Sequence, residues 1–159
     1  IGGRSVLLAA RISARRIVDG HADLQADDIF CLDDGPELLD CLEFDDQLRF
    51  VDAIDDAAFL AMDLEFLGHP ELAEHFLQTY ARLADDDAPA SLRDFYIAYR
   101  AVVRAKVDCV RHAQGVSGAA ADARRHLEIA HDHLRSGAVR LVLVGGGPIF
   151  RTFLPHVRR

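Results

Sequence analysis

His21-Ala22-Asp23-Leu24-Gln25-Ala26-Asp27-Asp28, then Ile29-Phe30-Cys31-Leu32, Asp33-Asp34-Gly35-Pro36-Glu37 and Leu38-Leu39-Asp40-Cys41, is the stretch from which the rest of the chain is read. Two short apolar runs, Ile29–Leu32 and Leu38–Cys41, enclose the turn-forming residues Asp33-Asp34-Gly35-Pro36, which predicts a β-hairpin. Antiparallel pairing sets the start of one strand beside the end of the next. Asp28, immediately before the first run, and Asp40, near the end of the second, then meet at the hairpin's open end. Asp23 lies five residues upstream, in the loop that feeds that end. Three converging carboxylates repel one another unless a cation sits among them. Mg²⁺ is commonly held in this way, by one or two carboxylates together with substrate phosphates. The pattern therefore fits a Mg²⁺–phosphate site, and it fits turn and cap roles for the same aspartates.

Outward from the hairpin the apolar period becomes helical. Ser5 to Ile17 predicts a short helix, broken at Asp19-Gly20. Phe50, Ile54, Ala57, Ala58, Ala61, Leu64 and Leu67 recur at threes and fours up to Gly68. Pro70 opens a second helix with Leu72, Phe76, Leu77 and Tyr80 on one face. Ser91 is placed to cap a third helix running to Ala113, with Phe95, Tyr99, Val102, Val103, Val107 and Val110 inward. Ser117 begins a fourth, ending near Arg135 before Gly137, and Val139–Val144 predicts a strand. The expected class is α+β, mostly α: a hairpin packed on a helical bundle, with a terminal strand.

The 159 residues suffice for one domain with its own core, and half of them are hydrophobic. A net charge of −8 opposes binding to nucleic acid or to an anionic membrane. Fourteen of the 26 acidic residues fall between Asp19 and Asp56, against one arginine, Arg49. Cys31, Cys41 and Cys109 have no CxxC spacing and read as buried thiols of a reducing, cytoplasmic compartment. His126, His131 and His133 do not fall at i, i+4 and read as surface residues, so no zinc site is expected. Phe95, Tyr96 and Tyr99 beside Arg100, Arg104 and Lys106 fit an anion or substrate site, although an apolar stripe with a charged face is the simpler reading.

The order of residues from His21 to Phe44 also carries a resemblance. His21-Ala22-Asp23 through Asp28 resembles the HGDxxxxN catalytic loop of aminoglycoside phosphotransferases and choline-kinase-like enzymes, and Leu38-Leu39-Asp40-Cys41-Leu42-Glu43-Phe44 resembles the metal-binding segment that follows it. Further matches at Asp45–Phe50, Met62–Glu65, Tyr96–Ala101 and Arg104–Lys106 resemble the helical C-terminal lobe of a bacterial subgroup in which that domain precedes a P-loop kinase domain. The resemblance implies a protein-kinase-like lobe over residues 1–137, with 138–159 as the start of a P-loop domain and a basic tail. It implies ATP-dependent phosphoryl transfer to a small hydroxylated molecule, with Asp23 as catalytic base, His21 bracing the loop, and Asp28 and Asp40 on Mg²⁺.

Three departures predict that this chain by itself does not catalyse. Ala22 stands where the motif has glycine, about twenty residues precede His21 where a nucleotide-covering lobe is expected, and Phe150 and Arg151 interrupt the P-loop pattern after Gly145-Gly146-Gly147-Pro148. Both ends read as truncated. The expected alternatives are an inactive remnant or pseudokinase fragment, or a helical interaction domain, and the surface left uncovered predicts self-association.

Overall fold

Ser5–Ser13 form the first helix, α1, which ends four residues before the position its apolar pattern predicts. Ile17–Asp19 are instead a strand, β1, paired antiparallel with Phe50–Asp52, β4, in the register Ile17↔Asp52, Val18↔Val51 and Asp19↔Phe50. The computed structural model describes residues 4–43 and 45–137, so the terminal strand and the P-loop start lie outside the described residues. The β1–β4 ladder was not foreseen, because three-residue strands carry too little alternation to register as a pattern. It has a large consequence: it ties residue 19 to residue 50 and makes everything between them one loop system at one end of the bundle.

The helix expected from Phe50 loses its first turn to that ladder. Helix α2 is Ala53–Phe66, and Asp52 caps it, its carboxylate accepting from the Ile54 amide at 3.1 Å. Asp55 and Asp56 in the first turn suit the positive end of the helix dipole. Helix α2 is the centre of the molecule and packs against α3 (Pro70–Leu83), α4 (Ala90–Ala113) and α5 (Ala119–Ser136). Ile54, Phe59 and Met62 of α2 and Leu92 of α4 are the most deeply buried large apolar side chains among the described residues. Small residues at Ala57, Ala58 and Ala61, facing Ala98 and Ala101, let the backbones approach closely.

Several helical details differ from the sequence pattern. Leu72 is exposed, while Ala73 and Leu77 carry the buried face of α3. Helix α4 begins at Ala90 with Pro89 at the cap position, so Ser91 lies inside it and caps nothing. Its inward residues are Leu92, Tyr96, Ile97, Ala98, Arg100, Ala101, Ala105 and Asp108, whereas Tyr99, Val102, Val107 and Val110 are exposed. The valines misled because a buried arginine and a buried aspartate occupy two of the inward positions. Helix α5 starts two residues after Ser117, with Gly118 at the cap in left-handed conformation, φ +86°.

The hairpin exists, but its second strand starts earlier than expected. Ile29–Leu32 (β2) pairs with Gly35–Leu38 (β3) from Ile29↔Leu38 to Leu32↔Gly35, around a two-residue turn at Asp33-Asp34. Gly35 takes the positive φ, +135°, that an L side chain there would resist. Both strands are exposed along nearly their whole length, so the hairpin stands off the bundle instead of packing on it. Cys31 and Cys109 are exposed and Cys41 half-buried, which corrects the expectation of buried thiols.

Two charged clusters lock the bundle. The Arg11 guanidinium bridges the buried carboxylates of Asp52 and Asp86, with Nε to Asp52 at 2.9 Å and Nη2 to Asp86 at 2.8 Å, and fastens α1 to the core. His133 on α5 contacts Asp94 on α4 at 2.9 Å and Glu65 on α2 at 2.9 Å. His133 is half-buried and His126 fully buried; the His126 Nδ1 donates to Asp108 at 2.8 Å and its ring stacks on Phe66. Of the three histidines on α5, only His131 is the surface residue the spacing predicted.

Candidate active site

The loop Gly20–Asp28 runs along α2, and two carboxylates of that helix hold it. Asp56 accepts from the backbone amides of both His21 and Ala22, each at 2.8 Å. Asp63, two turns further along the same face, accepts from Ala26 at 2.9 Å. The approach at Asp56 leaves no room for a side chain before it: a Cβ on Gly20 would lie 2.6 Å from Asp56 Oδ2.

From the other side Arg100 of α4 closes the clamp. Its Nη1 donates to the Ala22 carbonyl at 3.1 Å, while Nε and Nη2 form a two-pronged pair with Asp55, both at 2.8 Å. The guanidinium lies over the rings of Phe59 and Tyr99. Ala22 is therefore fixed at both its amide and its carbonyl, and it sits at φ +67°, the left-handed region in which its glycine counterpart would be unstrained.

His21 braces the loop. Its Nε2 is 2.7 Å from the Leu39 carbonyl, and its own carbonyl accepts from Leu42 at 3.1 Å, so the loop is stitched to the segment leaving β3. The Leu39 amide in turn donates to the Asp28 carbonyl at 3.0 Å. These bonds bring the Asp23 loop to the segment carrying Asp40, and the two residues line one open pocket of about 280 Å³ with Cys41, Leu42 and Glu43. Asp40 adopts φ +62°, past the end of β3 instead of within a strand.

Asp28 is used differently from the other two. The Ala26–Asp28 segment is a single 3₁₀ turn, and the Asp28 Oδ2 atom accepts from the Gln25 amide at 2.8 Å in a reciprocal cap. It is still close enough to raise the pKa of Asp23 by like-charge repulsion. Among the described residues, no group of three or more His, Cys, Asp or Glu side chains is arranged as a metal cage. Asp23 and Asp40 thus border one pocket, while the Asp28 carboxylate is engaged by the loop's own cap.

Electrostatically the site favours a proton acceptor. Burial raises the Asp23 carboxyl above the ordinary carboxylate range, Arg104 and Arg100 oppose that shift, and Asp28 adds to it. A base with elevated affinity for a proton, held on a rigid loop beside a cavity, is what abstraction from an alcohol requires.

Gly20, Asp55, Asp56 and Asp63 were not singled out from the sequence as site residues, and Arg100 only as part of a charged helix face. One signal was available: Asp56 and Asp63, seven apart, fall on one face of a helix that is otherwise nearly all apolar.

No protein-family model and no solved structure matches the chain. It is 67% identical over 148 residues to an uncharacterized protein of Mycobacterium tuberculosis H37Rv, Rv2004c, and equally to one of Mycobacterium bovis, Mb2027c. The match covers 93% of this chain and 30% of each relative, so the chain spans under a third of the length of the curated proteins that it resembles.

Proposed function

We propose that the chain is the catalytic-loop lobe of an ATP-dependent small-molecule O-phosphotransferase, similar to the aminoglycoside-phosphotransferase and choline-kinase-like family. The observation that carries this reading is the cavity shared by Asp23 and Asp40, with the Asp23 loop clamped from α2 and α4. Asp23 accepts the proton of the acceptor hydroxyl and orients its oxygen, while His21 keeps the loop against the segment that carries Asp40. Asp40 and Asp28 would hold Mg²⁺, which when bound neutralises phosphate charge. Among the described residues no helix is long and apolar enough to cross a membrane, in keeping with a cytoplasmic enzyme. The much greater length of the relatives fits a lobe that works with further domains, which would supply the remainder of a nucleotide pocket.

Calorimetric titration with MgATP, alongside assays of phosphoryl transfer to a panel of hydroxylated compounds, tests this. Asp40→Asn is expected to abolish MgATP binding. Asp23→Asn is expected to bind MgATP normally and lose roughly 10²–10⁴ of the transfer rate, the span of general-base contributions. Absence of MgATP binding by a folded wild-type chain, alone and within the longer protein, sinks the reading. A second reading is favoured by one observation: the Asp28 carboxylate is already engaged by its own loop. On that reading the domain binds nucleotide but does not transfer phosphate, and it predicts MgATP binding with no product from any acceptor.

A further inference from the structure

One ring nitrogen of His126, Nε2, is buried and has no hydrogen-bond partner among the described residues. The side chain sits on the inner face of α5 with Ala123 and Ala130, and it is 3% exposed. Its Nδ1 lies 2.8 Å from an oxygen of the Asp108 carboxylate, so Nδ1 carries the proton of the neutral ring and Nε2 is a bare acceptor. The ring also stacks flat on Phe66 at the end of α2, with centroids 4.0 Å apart. One side chain therefore joins three helices: α5, which bears it, α4 through Asp108 and α2 through Phe66.

A second proton on this ring would be an N–H at Nε2, buried with nothing to accept it. The neighbouring charges give it little support. Asp108 is already shared with Arg111 at 2.9 Å, and Arg104, one turn before Asp108 on α4, adds a like charge. Arg125 of α5 lies over the Phe66 ring, and Asp63, one turn before Phe66 on α2, is engaged by the Ala26 amide. The backbone carbonyl of Asp122, one turn back on α5, favours the charged ring without reaching Nε2. Burial outweighs the support from Asp108 and holds the His126 pKa below the ordinary histidine value. Seven residues on, His133 has the opposite bias: burial opposes its charge as well, but Glu65 and Asp94 outweigh it and raise its pKa.

We propose that His126 is an acid-operated latch: the neutral ring fastens the first half of α5, residues 119–130, to α4 and α2, and the protonated ring lets that half come away while His133 keeps the far end docked. The inference does not depend on Asp23 being a base. A folded-state pKa below the unfolded one, near 6.5, leaves the contact intact above that pH. It weakens the contact as the pH falls, by up to about tenfold for each pH unit, the limit for uptake of one proton.

Amide hydrogen exchange of the full chain, expressed as protection relative to the unfolded chain at the same pH, tests this at about pH 7.5 and about pH 5, with the His126 ring followed by NMR across that range. In wild type the protection of residues 119–130 is expected to fall roughly tenfold or more at the lower pH, in step with titration of the ring, while that of α3 holds. His126→Gln takes up no proton and still offers an N–H to Asp108, so its α5 should be equally protected at both pH values. His133 and the carboxylates are common to the two chains and drop out of the comparison. Protection of residues 119–130 that is unchanged in acid, that falls equally in His126→Gln, or that falls only together with α3 overturns the proposal. If His126→Gln fails to fold, wild type decides alone: a ring that titrates at or above the ordinary histidine value, or protection lost at a pH where the ring has not changed charge, excludes the latch.

Discussion

Ala22 is the residue at which local strain and site geometry meet. Its φ of +67° costs an L-alanine about 1 kcal/mol or more relative to glycine, and the cost is sustained by three bonds, two through its amide and carbonyl and one through the neighbouring His21 amide. Ala22→Gly is therefore expected to be neutral or stabilising by up to about 1 kcal/mol, since relief of strain is partly offset by the freer unfolded chain. Chemical denaturation checks it; a loss of stability well beyond that range would show that the backbone there is not left-handed. Asp56→Ala acts in the opposite sense. It leaves two amides without their acceptor, and each buried unsatisfied group costs about 1–3 kcal/mol. Its expected signature is a lower melting temperature together with disturbed amide signals at residues 21 and 22 and little change in α3. Gly20→Ala should reproduce that signature, because a methyl group there drives Asp56 off the loop.

At the scale of elements, the C-terminal end of α5 is fastened by His133, and the fastening depends on pH. Burial disfavours a charged imidazole there, but hydrogen bonds to Glu65 and Asp94 outweigh it and hold the pKa above the usual value for histidine. Both ring nitrogens face carboxylates, one from α2 and one from α4, so the imidazolium is the form that satisfies both contacts. A group with a raised folded-state pKa contributes its full stability below the unfolded value, near pH 6.5, and loses it as pH rises through the folded value. The difference in stability between wild type and His133→Gln should therefore be larger at pH 6 than at pH 9; a difference independent of pH would exclude this account. Elements such as α5 also show how much the sequence revealed. The helices of the bundle, Pro70 at the start of α3 and the hairpin itself were legible because each rests on local periodicity or turn chemistry. The clamp was not. Asp56, Asp63 and Arg100 act through backbone groups far away in sequence, and Arg100 and Asp108 occupy inward positions that a hydrophobic pattern assigns to valine. The β1–β4 ladder was hidden for a related reason, since a three-residue strand is specified by its partner more than by its own residues.

For the whole molecule, the decisive property is apolar surface that nothing among the described residues covers. Val6 and Ile12 on α1 are 84% and 64% exposed, Phe30 and Leu38 on the hairpin 48% and 54%, and Phe50 on β4 61%. An isolated two-stranded hairpin is marginal in water, and among the described residues both edges of β2–β3 are unpaired. Pro36 removes a donor from β3, which leaves β2, Ile29-Phe30-Cys31-Leu32, as the edge able to accept another strand. Acidic pairs at Asp27-Asp28 and Asp33-Asp34 flank that edge, and together with the net charge of −8 they oppose approach of a second copy at low salt. Burial and repulsion therefore compete, and ionic strength decides between them, because salt screens the charges and leaves the apolar term intact. The expected outcome is a chain that is largely monomeric at low salt and associates as salt and concentration rise. Sedimentation equilibrium across a salt series measures this directly. Phe30→Lys should shift the equilibrium back to monomer at high salt, since it places a charge in the exposed edge while leaving the buried core of α2, α3 and α4 untouched. A wild-type chain that remains monomeric at high salt and high concentration would show that the exposed hairpin and α1 face do not support contact between copies of this chain.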